Sequence, residues 1–181
     1  MDEVLISLRE LNRRFLALAA RQGGNTPFRH LAGLDAPDRA AAADCPYALF
    51  DLHFGDEAHW SARLGAPVTW QVADAPPADP EALEFVRLAL FYVWHVAATA
   101  PLRAPLLVGM SSTLVAQFAR QTVDRLPALA AREVLQLRPR WHTCDAYWNA
   151  LLRGARSPGS AALRRAQLCG IQYAAVQRLA R

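Results

Sequence analysis

Asp79-Pro80-Glu81-Ala82-Leu83-Glu84-Phe85-Val86-Arg87-Leu88-Ala89-Leu90-Phe91-Tyr92-Val93-Trp94-His95-Val96-Ala97-Ala98-Thr99-Ala100 is the stretch that decides the fold class. Asp79 is an N-cap and Pro80 occupies the first helical position, where a missing N–H costs nothing. Glu81 to Ala100 then runs on as a helix that is apolar nearly all round, the pattern of a helix at the centre of a fold. Its most apolar part, Phe85 to Pro101, is short for a bilayer span and carries Arg87 and His95, so it reads as a core helix and no membrane association is expected.

Working toward the N-terminus, Gly65 to Pro80 holds Pro67, Pro76, Pro77 and Pro80 and reads as a linker. Before it, Leu5, Leu8, Leu11, Phe15, Leu18 and Ala19 recur at helical spacing, and Gly23-Gly24 stops that helix. A shorter helical stretch is expected near Pro27–Leu31. Asp35 caps a further helix through Ala43 that ends at Cys45-Pro46, and Glu57 to Leu64 forms another. Tyr47 to Phe54 is an apolar run with room for a short strand.

Toward the C-terminus, helices are expected over Thr113–Val123, from Leu126-Pro127 through Leu135, over Thr143–Arg153, and over Ala161–Leu179 after the Ser157-Pro158-Gly159-Ser160 turn. Arg138-Pro139-Arg140 breaks the second of these from the third. The fold class is therefore all-α, with strand pieces confined to the neighbourhoods of 49–54 and 134–138.

The two sides of the linker resemble each other. Leu11–Ala20 aligns with Leu88–Ala97 at offset 77, and Gly33-Leu34-Asp35-Ala36 with Gly109-Met110-Ser111-Ser112 at offset 76. Phe50-Asp51-Leu52 aligns with Leu135-Gln136-Leu137 at offset 85, and Trp60–Leu64 with Trp148–Leu152 at offset 88. The order is the same in both: long helix, Gly turn, helix, apolar run, Trp helix. We expect a first helical repeat over 1–66, a Pro-rich linker over 67–79, a second repeat over 80–155 and a basic C-terminal helix over 156–181. Two such repeats are expected to pack about a pseudo-twofold axis, as a fused homodimer would.

Composition narrows the class. Apolar residues make up 53% of the 181, enough for a core and too many for a disordered chain. Every basic residue is Arg, which points to the coding bias of a GC-rich genome. Charge is polarised: residues 1–80 hold 7 Arg against 11 acids, whereas 138–181 hold 8 Arg against one acid. Cys45, Cys144 and Cys169 are too widely spaced for a zinc ribbon or a dithiol motif and read as reduced thiols. Met1-Asp2-Glu3 is acidic where a leader peptide is basic, so the expected location is the cytoplasm.

The repeat pattern resembles FlhD, the flagellar transcriptional regulator family. The segments that carry the likeness are the helix at Leu11–Arg21, the Gly turn and helix at Gly109–Phe118, the restart at Leu126-Pro127, and His53-Phe54, which is similar to a His-Phe pair of that family. Each half of the chain resembles one short family member, over about 5–64 and 83–152. The family's cysteine before the His-Phe pair, which links two subunits, is Leu52 here; a covalent link would be superfluous if both halves share one chain. The resemblance implies a regulator that dimerises and binds a protein partner, FlhC in that family, which supplies much of the DNA recognition. It implies no catalysis.

The candidate chemistry is sparse. His30, His53, His59, His95 and His142 show no metal-ligand spacing, and His53-x5-His59 with Asp51, Asp56 and Glu57 reads as a solvated loop. His95 reads as a hydrogen-bonded core histidine. His142-Thr143-Cys144-Asp145 does not suit a catalytic triad, whose members must converge from separated positions; Thr143 or Asp145 reads as an N-cap. No catalytic residue, metal or cofactor is therefore assigned. The functional candidates are Arg138, Arg140, Arg153, Arg156, Arg164 and Arg165, a basic surface for DNA or an acidic partner. The alternative is a small-molecule-binding or enzymatic helical domain with a pocket lined by Trp94, His95, Trp141 and Tyr147, or a plain homo-oligomerisation module.

Overall fold

The computed structural model describes residues 2–22, 31, 35–67 and 79–179. The Gly23-Gly24 stop, the helix near Pro27, His30, and most of the Pro-rich linker lie outside the described residues. The chain is all-α: α1 (Glu3–Arg21), α2 (Ala36–Ala43), α3 (Glu57–Gly65), α4 (Pro80–Thr99), α5 (Ala104–Val108), α6 (Ser112–Ala119), α7 (Leu126–Glu133), α8 (Asp145–Ala155) and α9 (Ala161–Leu179). Strands β1 (Phe50–Asp51) and β2 (Arg138–Pro139) pair antiparallel, Phe50 opposite Pro139 and Asp51 opposite Arg138.

Polar caps set most of the helix starts. Asp2 accepts from Val4 N, Asp35 from Asp38 N, Asp56 from His59 N, Asp79 from Glu81 N and Ala82 N, and Ser111 from Leu114 N. Each satisfies backbone donors that a helix start leaves orphaned, a contribution of about 1 kcal/mol apiece. α8 departs from expectation. Its N-cap is Cys144, which makes no side-chain cap bond, so neither Thr143 nor Asp145 holds that place. α6 stops at Ala119 rather than Val123, because Gln121 N turns back to Phe118 O and Thr122 is extended. α5 was not expected; Pro105 starts it and Gly109, at φ 81°, ends it in the left-handed region.

The chain forms two compact units, Met1–Asp51 with Arg138–Ala180, and Leu52–Leu137. In the terminal unit, α1 packs on α2, α2 on α8, and α8 on α9. Leu8, Phe15, Leu16 and Ala19 of α1 are fully buried there, and Phe15 lies 6.1 Å from Phe50, ring to ring. Asn12 is buried among them and saturated: its amide donates to Tyr47 O at 2.9 Å and Ala43 O at 3.3 Å, and its oxygen accepts from Leu49 N at 2.9 Å. One side chain thus satisfies three backbone groups of a buried irregular segment.

In the central unit, α4 packs on α6 and α7, and α3 packs on α6. α4 buries Phe85, Val86, Ala89, Leu90, Val93 and Val96 but exposes Arg87, Phe91 and His95, so it is less central than its sequence suggests. It is the one helix among the described residues long and apolar enough to cross a membrane, and half of its most apolar window is buried inside the fold. Phe54, Trp60 and Phe118 close the other side of this core, with Phe54 and Trp60 stacked at 5.4 Å.

Local geometry recurs along the chain. Caps Asp2 and Asp79 are 77 residues apart, Asp35 and Ser111 are 76, and Asp56 and Cys144 are 88. At the last offset, His53 (φ 58°) and Trp141 (φ 53°) both adopt left-handed backbone, an uncommon state for side-chain-bearing residues. His53 O accepts from Asp56 N, and Trp141 O from Cys144 N, each at 2.8 Å. Trp60 Nε1 donates to Leu52 O, and Trp148 Nε1 to Arg140 O, each at 3.0 Å.

Candidate interaction surface

The basic C-terminal residues are carried by the α8–α9 hairpin, and small residues let that hairpin form. Gly154 sits so close to α9 that a Cβ there would lie 2.7 Å from Leu163 Cα. Gly159 makes the turn at φ 75°, and Ser160 caps α9 by accepting from Leu163 N at 3.1 Å. At Gly170, a Cβ would overlap the Tyr47 hydroxyl, so α9 lies directly against the body of the terminal unit.

Beneath α9 is an aromatic cluster. Trp141 contacts Tyr47, Tyr147 and Tyr173 at centroid distances of 5.4, 5.0 and 5.7 Å. Tyr147 donates to the Tyr47 hydroxyl at 3.1 Å, and Tyr47 donates to Gln167 O at 3.1 Å. Burial pushes the Cys45 thiol up to about 12 and raises both Tyr47 and Tyr147, so all three stay neutral near pH 7. Cys144 Sγ lies 3.6 Å from the Tyr173 hydroxyl, and the Cys144 and Cys169 thiols hold that hydroxyl up at about 12.

The six arginines read from the sequence divide into two groups. Arg138 is committed to Asp51, with Nε at 3.0 Å and Nη2 at 2.9 Å from the same carboxylate oxygen. Arg140 is buried, stacks on Trp141 at 4.6 Å and donates to Gln177 Oε1 at 3.1 Å. These two bind the chain to itself. Arg153, Arg156, Arg164 and Arg165 are exposed around the tip of the hairpin. Arg153 Nε donates to Asn149 O at 3.1 Å and Arg164 Nη1 to Gly159 O at 2.7 Å, both neutral partners. Arg156, 74% exposed, reaches Asp38 only at 3.9 Å. The tip therefore presents guanidinium groups with Asp38 as the carboxylate near them among the described residues.

The expected pocket residues fall in both units. Trp141 and Tyr147 belong to the aromatic cluster of the terminal unit, while Trp94 and His95 lie in the central unit. Trp94 Nε1 donates to Gln121 O at 2.9 Å. His95 is exposed rather than a core histidine, because α4 turns that edge outward. His59, expected in a solvated loop, is instead three-quarters buried and meets the buried Glu133 at 2.8 Å. No cluster of metal-ligating side chains occurs among the described residues.

Glu133 is a buried acid that sequence reading missed. Its side chain is wholly buried between His59 and Arg63, which lie one turn apart on α3. Arg63 Nε comes within 2.8 Å of Oε1, yet its N–H is not aimed there, and Oε1 accepts no hydrogen bond. The only sequence signal was an acid on the apolar face of α7 beside Leu129 and Ala130. The chain matches no protein family, no curated protein and no solved structure.

Proposed function

We propose that this chain is a FlhD-like regulatory protein of the bacterial cytoplasm, two fused copies of one helical unit, acting by binding a protein partner and touching DNA through its basic hairpin. The observation that carries the reading is the crossed placement of the two Trp helices. α3, from before the linker, packs on α6 from after it; α8, from after the linker, packs on α2 from before it. Two intertwined subunits joined head to tail would give this arrangement. The matched caps, the paired left-handed residues and the two Trp–carbonyl bonds support the same origin. So does the strand pair, which shifts the match of Phe50 and Asp51 from the offset of 85 read in the sequence to 88: there its register of Phe50 with Pro139 and Asp51 with Arg138 maps onto itself.

The DNA part of the reading rests on Arg153, Arg156, Arg164 and Arg165. Guanidinium groups held on a rigid helical hairpin suit phosphate contacts. The test is DNA binding by the purified chain as a function of salt. Each phosphate neutralised contributes about −0.9 to the slope of log K against log salt, so R164Q/R165Q should flatten the slope by about 2. Absence of binding at low salt rejects direct DNA contact; absence of a co-purifying protein partner from the native host rejects the regulatory reading as a whole.

A further inference from the structure

The geometry points to a peroxide-oxidised thiol pair, Cys144 and Cys169, which closes as a disulfide across the α8–α9 hairpin. Both thiols are partly exposed, whereas Cys45 is fully buried and donates to Ala42 O. The pair stands apart from the regulatory reading, which rests on the repeat and on the arginines.

The hairpin sets the two thiols across from each other. Gly154 meets Leu163, which fixes the antiparallel register of α8 and α9. Cys144 lies as many residues before Gly154 as Tyr173 lies after Leu163, so the two stand at one level of the hairpin. The contact bears this out: Cys144 Sγ donates to the Tyr173 hydroxyl at 3.6 Å. Cys169 precedes Tyr173 by one helical turn on the same side of α9, and its thiol meets the same hydroxyl. One phenol oxygen thus serves two sulfurs from two helices. Tyr173 is 38% exposed, so its ring is free to swing outward and leave them facing. A disulfide needs Cα atoms within roughly 7 Å. Cys144 is the N-cap of α8 and is reached through a turn, its N–H donating to Trp141 O at 2.8 Å. That end can move toward α9 without unwinding α8.

The oxidant is hydrogen peroxide. Cys144 Sγ attacks one peroxide oxygen, the O–O bond breaks, and the thiol proton leaves with the departing hydroxide as water. Cys144 is then a sulfenic acid. Cys169 Sγ attacks that sulfur, the S–O bond breaks, and the second thiol proton leaves with hydroxide as a second water. Two thiols lose two electrons and two protons, and one peroxide becomes two waters. The contact with Cys144, and then the neighbouring Cys169, hold the Tyr173 hydroxyl up at about 12, so it keeps its proton near pH 7 and can donate to the sulfenic oxygen. The reduced pair is the resting state expected inside a cell, and the disulfide is its transient, sensing form.

The test treats the reduced full chain with hydrogen peroxide, blocks remaining thiols by alkylation in denaturant, and maps the tryptic peptides by mass spectrometry. The expected product joins peptide 141–153 to peptide 166–178 within one chain, lighter than their sum by two hydrogens, with Cys45 recovered alkylated. In C169S the reaction should stop at a sulfenic acid on Cys144, trapped by dimedone. In C144S, Cys169 should be recovered as a thiol. Both peptides recovered singly as alkylated thiols, a disulfide that joins two chains or includes Cys45, or over-oxidation of Cys144 with Cys169 untouched overturns the proposal.

Discussion

Replacing Arg63 should harm the fold more than replacing the buried acid it touches. Glu133 has 0% of its side chain exposed, while His59 is 24% and Arg63 40% exposed. In E133Q the buried charge disappears, the desolvation cost of the carboxylate disappears with it, and the amide still meets His59. The expected loss is about 1 kcal/mol. In R63Q the carboxylate remains buried with only His59 against it. Removing one partner of a fully buried pair costs about 3–5 kcal/mol; because Arg63 is two-fifths exposed, solvent screens part of this, leaving about 2–3 kcal/mol. For a chain of this size each kcal/mol moves the melting temperature by about 2–4 °C, so R63Q should melt roughly 4–12 °C lower and E133Q roughly 2–4 °C lower. The double variant should resemble E133Q alone, giving a coupling energy of about 2 kcal/mol. Thermal unfolding followed by circular dichroism measures all three. If E133Q is the more damaging single change, or the double variant is simply additive, the buried-charge argument is refuted.

Gly154→Ala should open the α8–α9 hairpin, because its Cβ would meet Leu163 backbone at 2.7 Å, where no side-chain rotation gives relief; a loss of about 2 kcal/mol or more in denaturant unfolding is expected, and a neutral outcome would refute the close approach. Alkaline pH should destabilise the fold. Cys45 is held at about 12 in the folded chain against an ordinary 9.0, and Tyr47 and Tyr147 are raised from 10.0, so the unfolded chain loses these protons first. Stability is therefore fully present below pH 9 and is lost as pH climbs from 9 through about 12, at up to roughly 1.4 kcal/mol per pH unit per group; a flat denaturation midpoint from pH 8 to 11 would contradict this. In a native thiol-labelling assay Cys144 and Cys169 should react and Cys45 should react only on unfolding, since it alone is fully buried.

Much of the fold was legible because helix signals are local. The Asp35 and Asp79 caps, the Pro80 start and the apolar periodicity of α1 depend on neighbours within a turn or two, and each lies where its sequence puts it. What pairs with what was not legible. The choice of α2 as the partner of α8, and of α6 as the partner of α3, is made by surfaces far apart in the chain. Nor could composition divide the basic residues. Arg138 and Arg140 look like Arg164 and Arg165 in sequence, yet Asp51 and Trp141 take up the first two. His59 was misjudged for the same reason, because its partner Glu133 is 74 residues away.

The crossed placement of the Trp helices is tested most directly by cutting the linker. A protease site inserted after Ala73 would divide the chain into a piece ending soon after α3 and a piece beginning before α4. Because α3 packs within the central unit and α8 within the terminal one, each compact unit draws on both pieces. The cut protein should therefore elute on a sizing column as one species with its helical spectrum unchanged, the pieces separating only in denaturant. Two pieces that part under native conditions while each keeps its helical spectrum would contradict the account.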